Sequence, residues 1–183
     1  MNKVMNAVLA MVLVMVAGKA LASENSSYAG EETREIKALP KSQIDGLLSG
    51  KGMGYAKAAE LNGYPGPAHV LELHEELSLR ADQHKESEVV FNQMKNAAKD
   101  LGADLVAAER ALDEAFRKKM IDESLVSELV NKIGAIESRL RAVHLSAHVR
   151  QTEILNDQQI SKYITLRGYD RAGQESHHKT HHS

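Results

Sequence analysis

The chain contains no cysteine and no tryptophan, and its 183 residues include two phenylalanines, five tyrosines and three prolines. Each absence removes a class of structure. Without thiols there are no disulfide staples and no lipid-bearing cysteine, so packing alone must hold the fold. With so few rings the core must be built from Leu, Val, Ile, Met and Ala, which suits thin helix-to-helix seams better than a thick globular centre. Stacking platforms for single-stranded nucleic acid are scarce, and a net charge of −2 gives no basic footprint for a duplex. Catalytic signatures are missing too. Gly50-Lys51-Gly52 lacks the spacing of a phosphate loop, and His74–Ser78 (HEELS) has no second histidine for a zinc protease. With no nucleophile elbow either, the expectation is a protein that binds and is not an enzyme.

One long apolar run is present, at the start. MNKVMNAVLAMVLVMVAGKALAS sets Lys3 before an apolar stretch from Ala7 to Gly18 and closes on Ala20-Leu21-Ala22. This predicts a cleaved secretory signal peptide over 1–22. The run is shorter than the about 20 residues of a membrane span, and Lys19 argues against the competing reading, an uncleaved anchor. Export to the periplasm, without stable membrane insertion after cleavage, is the expectation. Loss of Lys3 and Lys19 leaves 21 basic against 25 acidic residues.

Residues 23–39 are polar and charged and read as a flexible leader. Pro40 to Leu48 reads as a short helix stopped by Gly50, and Met53 to Leu61 as another ended by Asn62-Gly63. The turn GYPGP follows, and Pro67 opens a helix of about three turns, PAHVLELHEEL. Then the pattern lengthens. Val90, Met94, Ala98, Leu101, Leu105, Ala108, Leu112 and Phe116 keep one stripe on one helix face, and Leu125, Leu129, Ile133, Ile136, Leu140, Val143 and Ala147 make a second. Between them KKMIDES offers lysines for a helix C-terminus and Asp122 as an N-cap.

So short a connection predicts two long antiparallel helices, the first running roughly 55 Å from Gln83 to Lys119 at about 1.5 Å per residue. The expected fold is all-α, an elongated antiparallel hairpin flanked by short helices over 40–169. Two stripes cannot cover each other completely, which points to a homodimer. Gly102 and Gly134, both mid-helix, are read either as sites of close backbone approach or as tolerated defects.

A small device occurs twice. In LSLRADQ, Leu79 precedes Gln83 by four residues; in ILNDQQISKY, Leu155 precedes Gln159 likewise, with Asn156 placed as an N-cap and Gln159 as the reciprocal residue of a capping box. Both copies sit at breaks flanking the hairpin and so belong at the same end of it. Twin Leu-Thr-x-x-Gln motifs bracketing a helical hairpin resemble the Spy/CpxP family of periplasmic stress proteins, which includes zinc-binding ZraP-like and nickel/cobalt-sensing CnrX-like members.

GMGYAKAAELNGYPGPAHVLELHEEL, VHLSAHVR and ISKYITLRGY resemble blocks of the metal-resistance branch, and the likeness runs from Pro40 to Tyr169. Arg80 and Asn156 replace the family's threonine. Asparagine caps as threonine does; arginine cannot, so the first break is expected to move its cap to Ser78 or to run on as continuous helix.

Histidines supply the remaining chemistry. His144 and His148, four apart, project from one helix face and are candidate ligands for a shared metal ion; the bland alternative is that their rings simply pack or face solvent. His69 and His74 could add outer ligands, although five-residue spacing sets them on different faces. The tail over 170–183 carries His177, His178, His181 and His182, suited to Zn²⁺, Ni²⁺, Co²⁺ or Cu²⁺ and read as disordered; no metal is expected to be obligatory.

The resemblance implies an ATP-independent chaperone for unfolding periplasmic clients, with Arg139, Arg141 and Arg150 around apolar positions as the client-binding surface. The alternatives are a transition-metal sensor or buffer, and a module that docks on a membrane sensor protein.

Overall fold

The computed structural model describes residues 27–170, which fall into two units, divided between Arg34 and Glu35. In the first, a 3₁₀ turn over Glu31–Thr33 is closed by the Arg34 guanidinium, which donates to both carboxylate oxygens of Glu31 at 2.8 Å. Residues 1–22, read above as a signal peptide, and the tail histidines lie outside the described residues.

The described residues of the second unit hold six helices: α1 (Lys41–Leu48), α2 (Lys57–Glu60), α3 (Pro67–Glu72), α4 (Ala81–Arg117), α5 (Glu123–Ile154) and α6 (Asp157–Leu166). The two long helices, α4 and α5, pack along each other as the expected hairpin, with the shorter helices flanking them. Among the described residues no helix is long and apolar enough to cross a membrane.

The turn at the tip works as its residues suggest. Lys119 takes a left-handed conformation at φ 58°, the Met120 amide donates back to the Ala115 carbonyl, and the Asp122 side chain accepts from the Leu125 amide at 2.8 Å.

Several short elements depart from expectation. The helix read over Met53–Leu61 is confined to Lys57–Glu60, because Met53 and Gly54 both adopt left-handed conformations in the preceding turn. The helix opened by Pro67 ends at Glu72 and continues as turns to Ser78. Glu72, Glu75 and Glu76 would crowd its C-terminus with negative charge, where the helix dipole disfavours it.

The leader requires correction from Glu35 onward. Ile36 is 0 % exposed and packs with Ile44, Leu47, Leu101 and Leu105. The Lys37 amide donates to Asp113 of α4 at 3.0 Å, and Arg110 of α4 holds Glu35 at 2.7 Å. A lone isoleucine in a polar stretch is a weak periodic signal, yet burying it contributes about 2 kcal/mol.

Two separate cores result. The larger lies between the middle of the hairpin and α1. The smaller, built on Val70, Leu77, Leu155 and Tyr163, sits at the base between α3 and α6. The two mid-helix glycines divide. A Cβ on Gly102 would strike the Leu47 backbone, 2.7 Å from its carbonyl carbon, so α1 crosses α4 closely there. A Cβ on Gly134 would meet nothing within 4 Å.

Candidate functional site

At the base of the hairpin the two glutamines of the repeated motif meet. Gln83 Nε2 donates to Gln159 Oε1 at 2.9 Å, and Gln159 Nε2 donates to Gln83 Oε1 at 3.0 Å. The second hydrogen on each nitrogen goes to a carbonyl, Gln83 to Ile154 at 2.8 Å and Gln159 to Leu77 at 3.3 Å. Each oxygen also accepts a backbone amide, from Arg80 at 3.2 Å and from Asn156 at 3.0 Å. All four donors and four acceptor sites of the pair are therefore filled.

Asn156 completes its box by accepting the Gln159 amide. Arg80 provides no such acceptor, and its guanidinium pairs with Asp82 instead. The expectation for this break is corrected. α4 starts afresh at Ala81, Ser78 bends the chain at φ 51°, and Arg80 remains the N-cap position with half a box. Leu155 is buried in the smaller core and Leu79 packs against it.

Farther along the hairpin Gln151 donates to the Ser87 hydroxyl at 2.9 Å, both fully buried. Gln151 continues the α5 stripe four residues after Ala147, a polar residue on an apolar face that marks it in the sequence. No comparable signal marks Glu60, the centre of a third buried polar group. Its Oε1 accepts the hydroxyls of Tyr163 at 2.6 Å and Tyr169 at 3.0 Å, with His69 Nδ1 and Arg167 Nε each 3.4 Å away. Burial would raise the Glu60 pKa, but hydrogen bonds from His69, Tyr163 and Tyr169 outweigh it and hold the carboxyl at about 2. Burial and the same carboxylate push the Tyr163 hydroxyl up.

His148 joins this group, with Nδ1 2.8 Å from the Tyr64 carbonyl and 3.6 Å from Glu60 Oε2. With Nδ1 donating to that carbonyl, the free lone pair lies on Nε2. His144, 2 % exposed, stacks on Tyr55 with ring centroids 5.9 Å apart, and its Nε2 is buried with no hydrogen-bond partner. Burial, then the neighbouring His148, lowers the His144 pKa and keeps the ring neutral. Neutral imidazoles can ligate a transition metal, but a closed zinc site takes about four donors. Among the described residues no group of three or more His, Asp or Glu is arranged to hold an ion. His69 faces Glu60, while His74 packs edge-on against His84. His177, His178, His181 and His182 lie outside the described residues.

The arginines separate. Arg139 and Arg150 line a groove along α4 and α5, whereas Arg141, exposed on α5, does not. The groove floor is Val90, Met94, Ala97, Ala142, Val143 and Ala147, and its edges are charged.

Beyond it the tip of the hairpin lacks cover. Phe116, Met120 and Val130 are 52 %, 70 % and 50 % exposed, while Leu125 and Leu129 are half-buried and Leu112 packs against the larger core.

The chain matches no family model, no curated protein and no solved structure.

Proposed function

We propose that this protein is a non-enzymatic, ATP-independent periplasmic stress protein of the Spy/CpxP type, holding exposed apolar segments of unfolding clients. The uncovered tip is the observation that carries this reading. Phe116 is 52 %, Met120 70 % and Val130 50 % exposed, and Phe116 and Met120 lie at the turn that joins α4 to α5. A scattered exposed apolar residue is ordinary, but Phe116 and Met120 lie four residues apart at the turn that ends the hairpin, and a patch there suits a binding partner. Arg117, Lys118 and Glu114 around it supply a charged rim that favours water when no client is bound.

The test is suppression of aggregation of a chemically denatured client enzyme by the full chain without nucleotide. Protection at substoichiometric amounts is expected, together with its loss in a Phe116→Ser/Met120→Ser/Val130→Ser variant. No protection, or protection indifferent to those substitutions, contradicts the proposal.

A second reading rests on the orphaned His144 Nε2. In it the protein buffers or senses a transition metal, His144 and His148 supplying two nitrogens and the tail histidines the rest. Calorimetry with Zn²⁺ and Ni²⁺ tests it. Binding must weaken both in His144→Ala/His148→Ala and on truncation at Gly173; loss on truncation alone removes the helical pair from the site.

A further inference from the structure

Residues 35–39 lie against α1 and α4 as a strap with a single fully buried side chain. Ile36 is 0 % exposed and shares the larger core with Ile44 and Leu47 of α1 and with Leu101, Leu105 and Ala108 of α4. Polar contacts flank this anchor. The Glu35 carboxylate accepts from Arg110 at 2.7 Å, and Asp113 accepts the Lys37 amide at 3.0 Å and its ammonium at 3.4 Å. The strap thus presents an acidic, an aliphatic and a basic residue in succession. The body of the fold answers with a base, an apolar floor and an acid.

Such an attachment can lift without unfolding what lies beneath it. The Leu39 amide donates to the Ile36 carbonyl at 3.1 Å, so the strap closes a turn on itself. Glu35, Lys37 and Ala38 are exposed, and an ion pair as open as Arg110 with Glu35, at 44 % and 68 %, contributes little. The floor has other partners, since Leu101, Leu105 and Ala108 also share the core with Ile133, Ile136 and Leu140 of α5. Segments held in this way sit at the low end of local stability. The floor also leads toward the tip. Along α4 one stripe runs Leu101, Leu105, Ala108, Leu112 and Phe116, from the buried core to a residue 52 % exposed.

We propose that residues 35–39 are a displaceable strap standing in for client segments, and that the socket beneath takes an extended peptide with an aliphatic residue between an acidic and a basic one. This rests on the client function proposed above and names the class of segment a client must offer. Joined to α1 through Pro40, the strap competes at high effective concentration. A short free peptide therefore displaces it poorly. A long unfolded chain already held at Phe116 and Met120 reaches the socket as a second, tethered contact, and its local concentration matches that of the strap. The socket is thereby withheld from short peptides and opens to long unfolded chains.

Two forms of the full chain test the proposal beside wild type. Ile36→Ser removes the anchor. Lys37→Cys/Asp113→Cys locks the strap when oxidised and frees it when reduced, in a chain with no other cysteine and with no change to the core. A fluorescent peptide of residues 33–40, TREIKALP, is the probe, and its anisotropy measures binding. It should bind Ile36→Ser about tenfold more tightly than wild type, and bind the reduced pair more tightly than the oxidised one. A peptide with serine in place of the isoleucine should not bind. In the aggregation assay with a cysteine-free client, Ile36→Ser should protect at lower amounts than wild type, and oxidation of the pair should weaken protection. A peptide indifferent to its isoleucine or to the lock, or a locked form that protects as well as the reduced one, would overturn the proposal. If no form protects a client, the client function falls, and with it the strap's role as a stand-in; the peptide alone then reports the socket.

Discussion

The amides of Gln83 and Gln159 hydrogen-bond each other reciprocally, at 2.9 and 3.0 Å, across 76 residues of sequence. The pair joins the chain where it enters the hairpin to the chain where it leaves. Truncating either side chain strands the other amide and one backbone carbonyl in a buried place. Gln83→Ala and Gln159→Ala should each cost about 2–4 kcal/mol. The double variant should cost at least about 1 kcal/mol less than their sum, because neither partner is left stranded by the other. Urea denaturation of the four proteins measures this; strict additivity would deny the coupling.

Arg80 leaves half of the first capping box empty, while Asn156 fills the second. Arg80→Asn should therefore stabilise the chain by about 1 kcal/mol, less the small contribution of the exposed pair with Asp82. Asn156→Ala should destabilise it by a similar amount. The same denaturation series reads both, and destabilisation by Arg80→Asn would contradict the assignment of the cap.

Opposite signs are expected at the two mid-helix glycines. At Gly102 a methyl group would drive α1 off α4, and Gly102→Ala should cost about 2 kcal/mol or more. Gly134 has open space around it, so Gly134→Ala should gain about 0.5–1 kcal/mol. Thermal melts of the two variants, which should move in opposite directions, check the crossing directly.

Acid should loosen the fold in two stages. The His144 pKa is lowered in the folded state, so the unfolded chain binds the extra proton and stability falls as pH drops below about 6.5. Glu60 is also lowered, to about 2, and its contribution is full above its ordinary value and lost as pH falls from about 4.5 toward 2. That second loss amounts to about 3 kcal/mol at most. In His144→Leu the first stage should vanish and the second remain, which denaturation between pH 7 and pH 3 will separate.

Periodicity carried the long helices into view because 3.6-residue stripes over 37 and 32 residues leave little room for another reading. Asp122 and Asn156 were legible as caps because a side chain reaching three residues ahead is a local event. The packing of Ile36 was not, since its partners Leu101 and Leu105 lie far along the chain. Glu60 was hidden for the same reason, its hydrogen bonds spanning 103 and 109 residues to Tyr163 and Tyr169. The glutamine motif was visible as two turns at one end; that the turns grip each other depends on a tertiary distance no pattern carries. His144 and His148 share a helix face as their spacing requires, but Tyr55 and the Tyr64 carbonyl, which occupy them, come from the loops around α2.

Site-specific photo-crosslinking tests the tip most directly. A photoreactive residue placed at Met120, with one at exposed Lys57 for comparison, is irradiated with an unfolding client enzyme. The account predicts abundant client adducts at 120, appearing only as the client unfolds, and few at 57. Adducts that are absent at 120, or equal at both positions, would contradict it.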